Sequence, residues 1–158
     1  GLKKEVQEMS ATIYTAQEIT LVTLQRCSAN MADIENIFDR IAKLDVNVDM
    51  ISMAPAHGAH ADLSFTISDM DLGKILGFTK KLHEEADIHT IVSSGNCKIT
   101  VSDPCMKNTP GIAASVFAAA AKANTDLRII TTSEVEISLL VTEADFDTTL
   151  DALEKAGL

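Results

Sequence analysis

The sequence predicts an α+β protein of two βαββαβ units, and three observations carry that prediction. Short runs of β-branched residues alternate with stretches in which apolar residues recur every three to four positions. The whole series occurs twice. The second copy lacks its last strand, while an unassigned strand stands near the N-terminus. At 158 residues with 46% apolar content, the chain is long enough to give each unit a core.

The elements follow in chain order. Residues 11–16 (ATIYTA) and 19–24 (ITLVTL) have strand-forming composition. Residues 33–44 place Ile34, Ile37, Phe38 and Ile41 on one helical face. Residues 46–53 (VNVDMISM) and 62–66 (DLSFT) read as paired strands joined by an extended hairpin over 54–60. A helix over 71–82 groups Leu72, Ile75, Leu76 and Leu82, and residues 88–93 supply the last strand of this copy.

The second copy opens at 98–102 (KITVS). Its first helix is predicted over 110–123, with Ile112, Val116, Phe117 and Ala120 on one face. Thr109 is the expected N-cap, and Pro110 takes the first helical position, where a missing N–H costs nothing. Strands over 125–132 (TDLRIITT) and 136–140 (EISLL) follow, then a helix over 145–156 carrying Phe146, Leu150 and Leu153. A sheet without its fourth strand leaves an open edge, so the strand at 11–16 is assigned to this copy. Residues 18–94 are then one unit inserted into another, formed by 10–17 plus 95–158. The order βαββαβ is that of the ferredoxin-like sandwich.

Composition excludes several function classes. Asp plus Glu number 23 against 13 Lys plus Arg, and the net charge of −10 repels a phosphate backbone, so no nucleic-acid partner is expected. Apolar runs fall far short of the roughly 20 residues of a membrane span, so no membrane partner is expected either. Three cysteines, Cys27, Cys97 and Cys105, cannot all pair, and no signal segment opens the chain; a reducing cytoplasm is the expected compartment. The chain starts Gly1-Leu2 rather than with Met, which leads us to expect an upstream region. No Gly-rich phosphate loop or catalytic Lys cluster occurs, so no catalytic residues are expected in these residues.

Two stretches carry a family resemblance. Met106-Lys107-Asn108-Thr109-Pro110-Gly111-Ile112-Ala113-Ala114 resembles the loop and helix start of ACT domains in aspartokinases. Ile130-Thr131-Thr132-Ser133-Glu134-Val135-Glu136-Ile137-Ser138 is similar to the strand-turn-strand segment of that family. Residues 46–51 and 62–66 resemble the corresponding strands of the first copy, and the likeness spans roughly residues 10–157. It implies a tandem ACT regulatory region of an aspartokinase, the enzyme that phosphorylates the side-chain carboxylate of aspartate. Such a region binds an end-product amino acid, commonly lysine or threonine. It passes inhibition to an upstream kinase domain of the same polypeptide, giving feedback control of lysine, threonine and methionine biosynthesis. A stand-alone tandem ACT protein that controls a partner or transcription is the alternative reading. The sequence departs from the family at Ser28-Ala29-Asn30-Met31-Ala32, where an Asp-Arg-Pro-Gly type of loop is usual. It departs again at Arg128, where lysine-binding members carry an acidic residue.

The chemistry of the residues agrees with that implication. A free amino acid joins a carboxylate to an ammonium, so its receptor needs N–H donors beside acceptors. The turn from Met106 through Asn108, Thr109 and Gly111 to Ile112 leads into helix amides that are unpaired and partly positive, a place suited to a carboxylate. Asp126, with the backbone of Leu127, is the expected acceptor for the ammonium, and Thr131 supplies a hydroxyl. Ser133 and Glu134 serve either the ligand or the hairpin. Asp49, at the position related to Arg128, would bring acidic charge across an interface. His57, His60 and Asp62 read as a solvated hairpin tip rather than a metal site. Glu84, Glu85 and Asp87, like Asp145 and Asp147, read as solvated polar faces. No cofactor or metal is expected beyond the effector, and open sheet edges point to a homodimer.

Overall fold

The computed structural model describes residues 11–158. Its elements are β1 (Thr12–Ser28), α1 (Met31–Lys43), β2 (Ile51–Met53), β3 (His60–Ser68), α2 (Leu72–Ala86), β4 (His89–Ser102), α3 (Ile112–Lys122), β5 (Leu127–Thr132), β6 (Glu136–Thr142) and α4 (Glu143–Lys155). Single 3-10 turns at Asp69–Asp71 and Met106–Asn108 precede α2 and α3. Among the described residues no helix is long and apolar enough to cross a membrane.

Four predicted strands are in fact two. All but the first residue of 11–16, and all of 19–24, belong to the continuous β1; all but the first of 88–93, and all of 98–102, belong to the continuous β4. The intervening Ser94-Gly95-Asn96 has the composition of a turn, yet its polar groups are held by other elements. Gly95, at φ 70°, donates its N–H to the Asp69 carboxylate (3.3 Å), and Asn96 Nδ2 donates to the carbonyls of Ser93 (2.7 Å) and Ile19 (3.2 Å). Thr20 Oγ1 also donates to Asp69, at 2.6 Å. The strand therefore kinks as a bulge would and runs on. In β1 a left-handed Glu18 (φ 57°) stands at the corresponding place.

Two compact units result, residues 17–97 and residues 98–158 with the described residues up to Ala16. In the first, the strand order is β2-β3-β1-β4. β1 runs antiparallel to β3 from Ile19↔Ser68 to Leu24↔Leu63, then shifts register to Cys27↔Ala61 across left-handed Arg26 (φ 64°). Its core gathers Val22, Leu24, Ile37, Ile41, Leu63, Phe65, Ile75, Phe78 and Leu82. The strand predicted over 46–53 shrinks to Ile51–Met53. Asp45 turns left-handed (φ 58°), and residues 49–50 are tied to β3 partly by a side chain. Thr66 Oγ1 accepts from the Met50 N–H (2.9 Å), while the Thr66 carbonyl accepts from Asp49 N–H (3.1 Å).

α1 forms because its apolar stripe, Ile34, Ile37 and Ile41, is buried and because Asn30 caps it, with Oδ1 accepting the Ala32 N–H at 2.9 Å. Asn30→Ala removes that acceptor at an exposed position, and we expect a loss of about 1 kcal/mol in urea denaturation, with no change in the folded far-UV spectrum.

In the second unit the order is β1-β4-β6-β5, so the N-terminal strand completes this ferredoxin-like sheet beside the start of the copy. Val101, Val116, Leu139, Leu140, Val141 and Leu153 are fully buried in it. The start of α3 corrects the sequence expectation: Gly111, not Thr109, is the N-cap, and the helix begins at Ile112 rather than at Pro110. Proline forces its predecessor out of the helical region, and Thr109 is extended (φ −122°, ψ 95°). Gly111 then needs a left-handed backbone (φ 96°), which glycine adopts at no steric cost. β5 begins at Leu127 rather than 125, because the Thr125 hydroxyl pairs with that of buried Thr149 in α4 (2.5 Å).

Candidate functional site

The opening turn of the second unit is an ordered platform. Asp103 anchors it from both sides: its N–H donates to the Val135 carbonyl (2.8 Å), and its Oδ1 accepts from Cys105 N–H (2.8 Å), the local turn that a short carboxylate favours. Met106 N–H donates back to the Asp103 carbonyl (3.0 Å), Asn108 N–H to Cys105 (3.0 Å) and Thr109 N–H to Met106 (3.3 Å). The sequence reading missed Asp103, although Asp103-Pro104 is itself a turn signal.

At the end of this turn α3 starts without a side-chain cap. Its first intrahelical bond from the N-cap carbonyl is the Ser115 N–H to Gly111 (2.9 Å), which leaves the amides of Ile112, Ala113 and Ala114 ahead of the ladder. Asn108, Thr109 and Gly111 are exposed, while Met106 and Ile112 are half-buried. The contrast with α1, whose first turn is capped by its own Asn30, is direct. Partial positive charge at the α3 N-terminus is therefore available to an external anion.

The structure divides the predicted site residues. The Asp103–Val135 bond places the turn of Ser133 and Glu134 against the opening turn. Ser133 Oγ accepts from Val135 N–H (3.3 Å) and Glu136 N–H (3.1 Å), so its lone pairs serve the hairpin, whereas Glu134 is exposed at its tip. Thr131 is half-buried and stands opposite Ser138 on β6. Asp126 and Leu127 lie at the far end of β5; at about 3.3 Å per residue, the strand puts roughly 20 Å between Asp126 and the Ser133 turn. There Asp126 donates its N–H to Asp145 Oδ2 (3.0 Å) and faces Arg128 across an exposed ion pair of 3.5 Å. A single amino acid cannot touch both ends of β5 within one unit. Asp49 belongs to the other unit, just ahead of β2.

Residues 99–156 match the family model described as an ACT domain. The chain as a whole is similar to aspartokinases. It is 29% identical over 139 residues to an aspartokinase of Geobacillus stearothermophilus, covering 88% of this chain and 33% of that protein. It superposes on an aspartate kinase from Synechocystis with a TM-score of 0.86 and 27% identity, covering 93% of this chain and 27% of that one. The regulatory subunit of aspartate kinase from Thermus flavus shares the fold, with a TM-score of 0.84 and 21% identity over 93% of this chain and 98% of that subunit. The chain spans about a third of the length of the curated relatives it matches.

Proposed function

We propose that this chain is the allosteric part of an aspartokinase, binding lysine or threonine as a feedback effector and acting on a kinase domain upstream in the same polypeptide. The observation that carries the reading is the uncapped α3 N-terminus, held open to solvent by an ordered turn. An effector carboxylate would sit against the amides of Ile112 and its neighbours, with Met106, Asn108, Thr109 and Glu134 around it. Asp126 would reach such an effector only from a second copy of the chain, which fits a homodimer; Asp49 would contribute charge in the same way across an interface. The exposed strand edge at β2, with Ile51 and Met53 about half exposed, supports pairing of copies. Arg128, paired with Asp126 and brought with it from the second copy, would work against the ammonium of a lysine side chain, which ranks threonine first.

Binding that favours one arrangement of the units by about 1–3 kcal/mol would give several-fold to hundredfold control. Calorimetric titration with each amino acid tests the reading. One of the two is expected to bind, and Asn108→Ala to weaken it by roughly 1–3 kcal/mol through a lost charge-assisted hydrogen bond. Absence of heat with both amino acids would refute the proposal.

A further inference from the structure

The turn between α2 and β4 brings together three metal-ligating side chains that the amino-acid site does not use. His83 is in the last turn of α2, Asp87 is its C-cap and His89 opens β4. Asp87 adopts the left-handed conformation (φ 54°) and donates its N–H to the His83 carbonyl (3.0 Å), which folds the chain back sharply. As a result a single carboxylate oxygen, Asp87 Oδ1, lies 3.8 Å from His83 Nδ1 and 3.7 Å from His89 Nε2. The two imidazole rings tilt at 55° with centroids 4.9 Å apart. One ligand atom from each residue falls within 4.8 Å of the other two.

We propose that His83, Asp87 and His89 form a site for one divalent transition-metal ion. Nitrogen and oxygen donors held tetrahedrally at about 2.0–2.2 Å from zinc are roughly 3.3–3.5 Å apart, so two of the three separations need close by only a few tenths of an ångström. The remaining adjustment is a rotation of exposed rings. Two imidazoles and a carboxylate suit zinc, nickel or copper, whereas magnesium and calcium prefer all-oxygen sets. Solvent supplies the fourth position, because all three residues are exposed. A recess of about 300 Å³ lies beside the cluster, walled by Thr79, Ile88 and Thr90 among others. Thr90 Oγ1 is a buried oxygen without a hydrogen-bond partner. The bound ion would pin the end of α2 to the start of β4, both in the unit of residues 17–97. The site is thus separate from the α3 platform, and its failure would leave the effector reading untouched.

The sequence reading took His57, His60 and Asp62 as a solvated hairpin tip rather than a metal site. That grouping is denser in the chain, and in the structure it is a hairpin tip closed by His57 N–H to the His60 carbonyl at 2.9 Å.

The test is zinc titration of the tag-free chain in a non-thiol reductant, by competition with a chromophoric chelator. One equivalent of Zn²⁺ is expected to bind, and His83→Ala or His89→Ala each to weaken it about tenfold or more. Asp87→Gly is the control for folding, since glycine suits the left-handed backbone better; it should keep the fold and lose the ion. Cys105→Ser and the double variant His57→Ala/His60→Ala should bind as the parent does. A second readout is paramagnetic broadening by Cu²⁺, which should be centred on the α2–β4 turn. Failure of the parent chain to bind Zn²⁺ at roughly 100 µM, or binding that survives removal of both His83 and His89, would overturn the proposal.

Discussion

Phe65→Ala is expected to lower the unfolding free energy by about 3–5 kcal/mol, measured by urea denaturation followed by far-UV dichroism. Phe65 has no solvent exposure and sits in β3 between Val22 of β1 and Ile51 of β2. Its ring meets Phe38 of α1 edge-on at 6.0 Å, the geometry that aromatic quadrupoles favour. Truncation would leave a hole under α1, and the helix is poorly placed to sink into it. Arg40 of α1 is held against α2, over the Phe78 ring at 5.0 Å and on Glu85 at 2.8 Å. The cost therefore includes an unfilled cavity as well as lost apolar burial. Phe65→Leu keeps most of the volume and should cost clearly less. A loss below about 1 kcal/mol for Phe65→Ala would mean that β3 is not the centre of this core.

How much of this was legible follows from which forces act locally. α1 could be read directly, because Ile34, Ile37 and Ile41 make a stripe that only one helical face can bury, and all three are buried. The identity of the two units was equally readable from repeated periodicity. The continuity of β1 and β4 was not. A period of two looks the same on either side of a kink, and the group that lets β4 pass through Ser94-Gly95-Asn96 is Asp69, far away in the chain. The start of α3 failed for a different reason: Thr109-Pro110-Gly111 satisfies a capping rule, but backbone sterics at proline and glycine override it. Within the site, the opening turn was visible since it is contiguous. Asp126 looked adjacent only because sequence patterns carry no measure of strand length. The His83–Asp87–His89 cluster was hidden because it exists only once Asp87 turns left-handed, which no spacing rule announces.

The stability of the chain is expected to fall by about 2 kcal/mol more between pH 9 and pH 11 than it does in a Cys27→Ala variant. Cys27 lies at the register shift of β1, 1% exposed, with its thiol directed at the Leu24 carbonyl (3.7 Å). Burial, and then the nearby Asp62 carboxylate, push the thiol up from the usual 9.0 to about 11. The folded chain thus keeps its proton where the unfolded chain gives it up. Well below pH 9 both states hold the proton and the contribution to stability is complete. As pH rises from 9 towards 11 the unfolded state ionises first, and the contribution is progressively lost. The observable is the difference between parent and variant, which cancels the contributions of groups common to both. Denaturation midpoints at half-unit intervals from pH 8 to 11.5 measure it. The same burial makes Cys27 inert towards thiolate-directed reagents at pH 8, where exposed Cys105 should react. A difference curve that stays flat through this window, or labelling of Cys27 at the rate of Cys105, would show that the β1 register shift is open to water rather than sealed in the core.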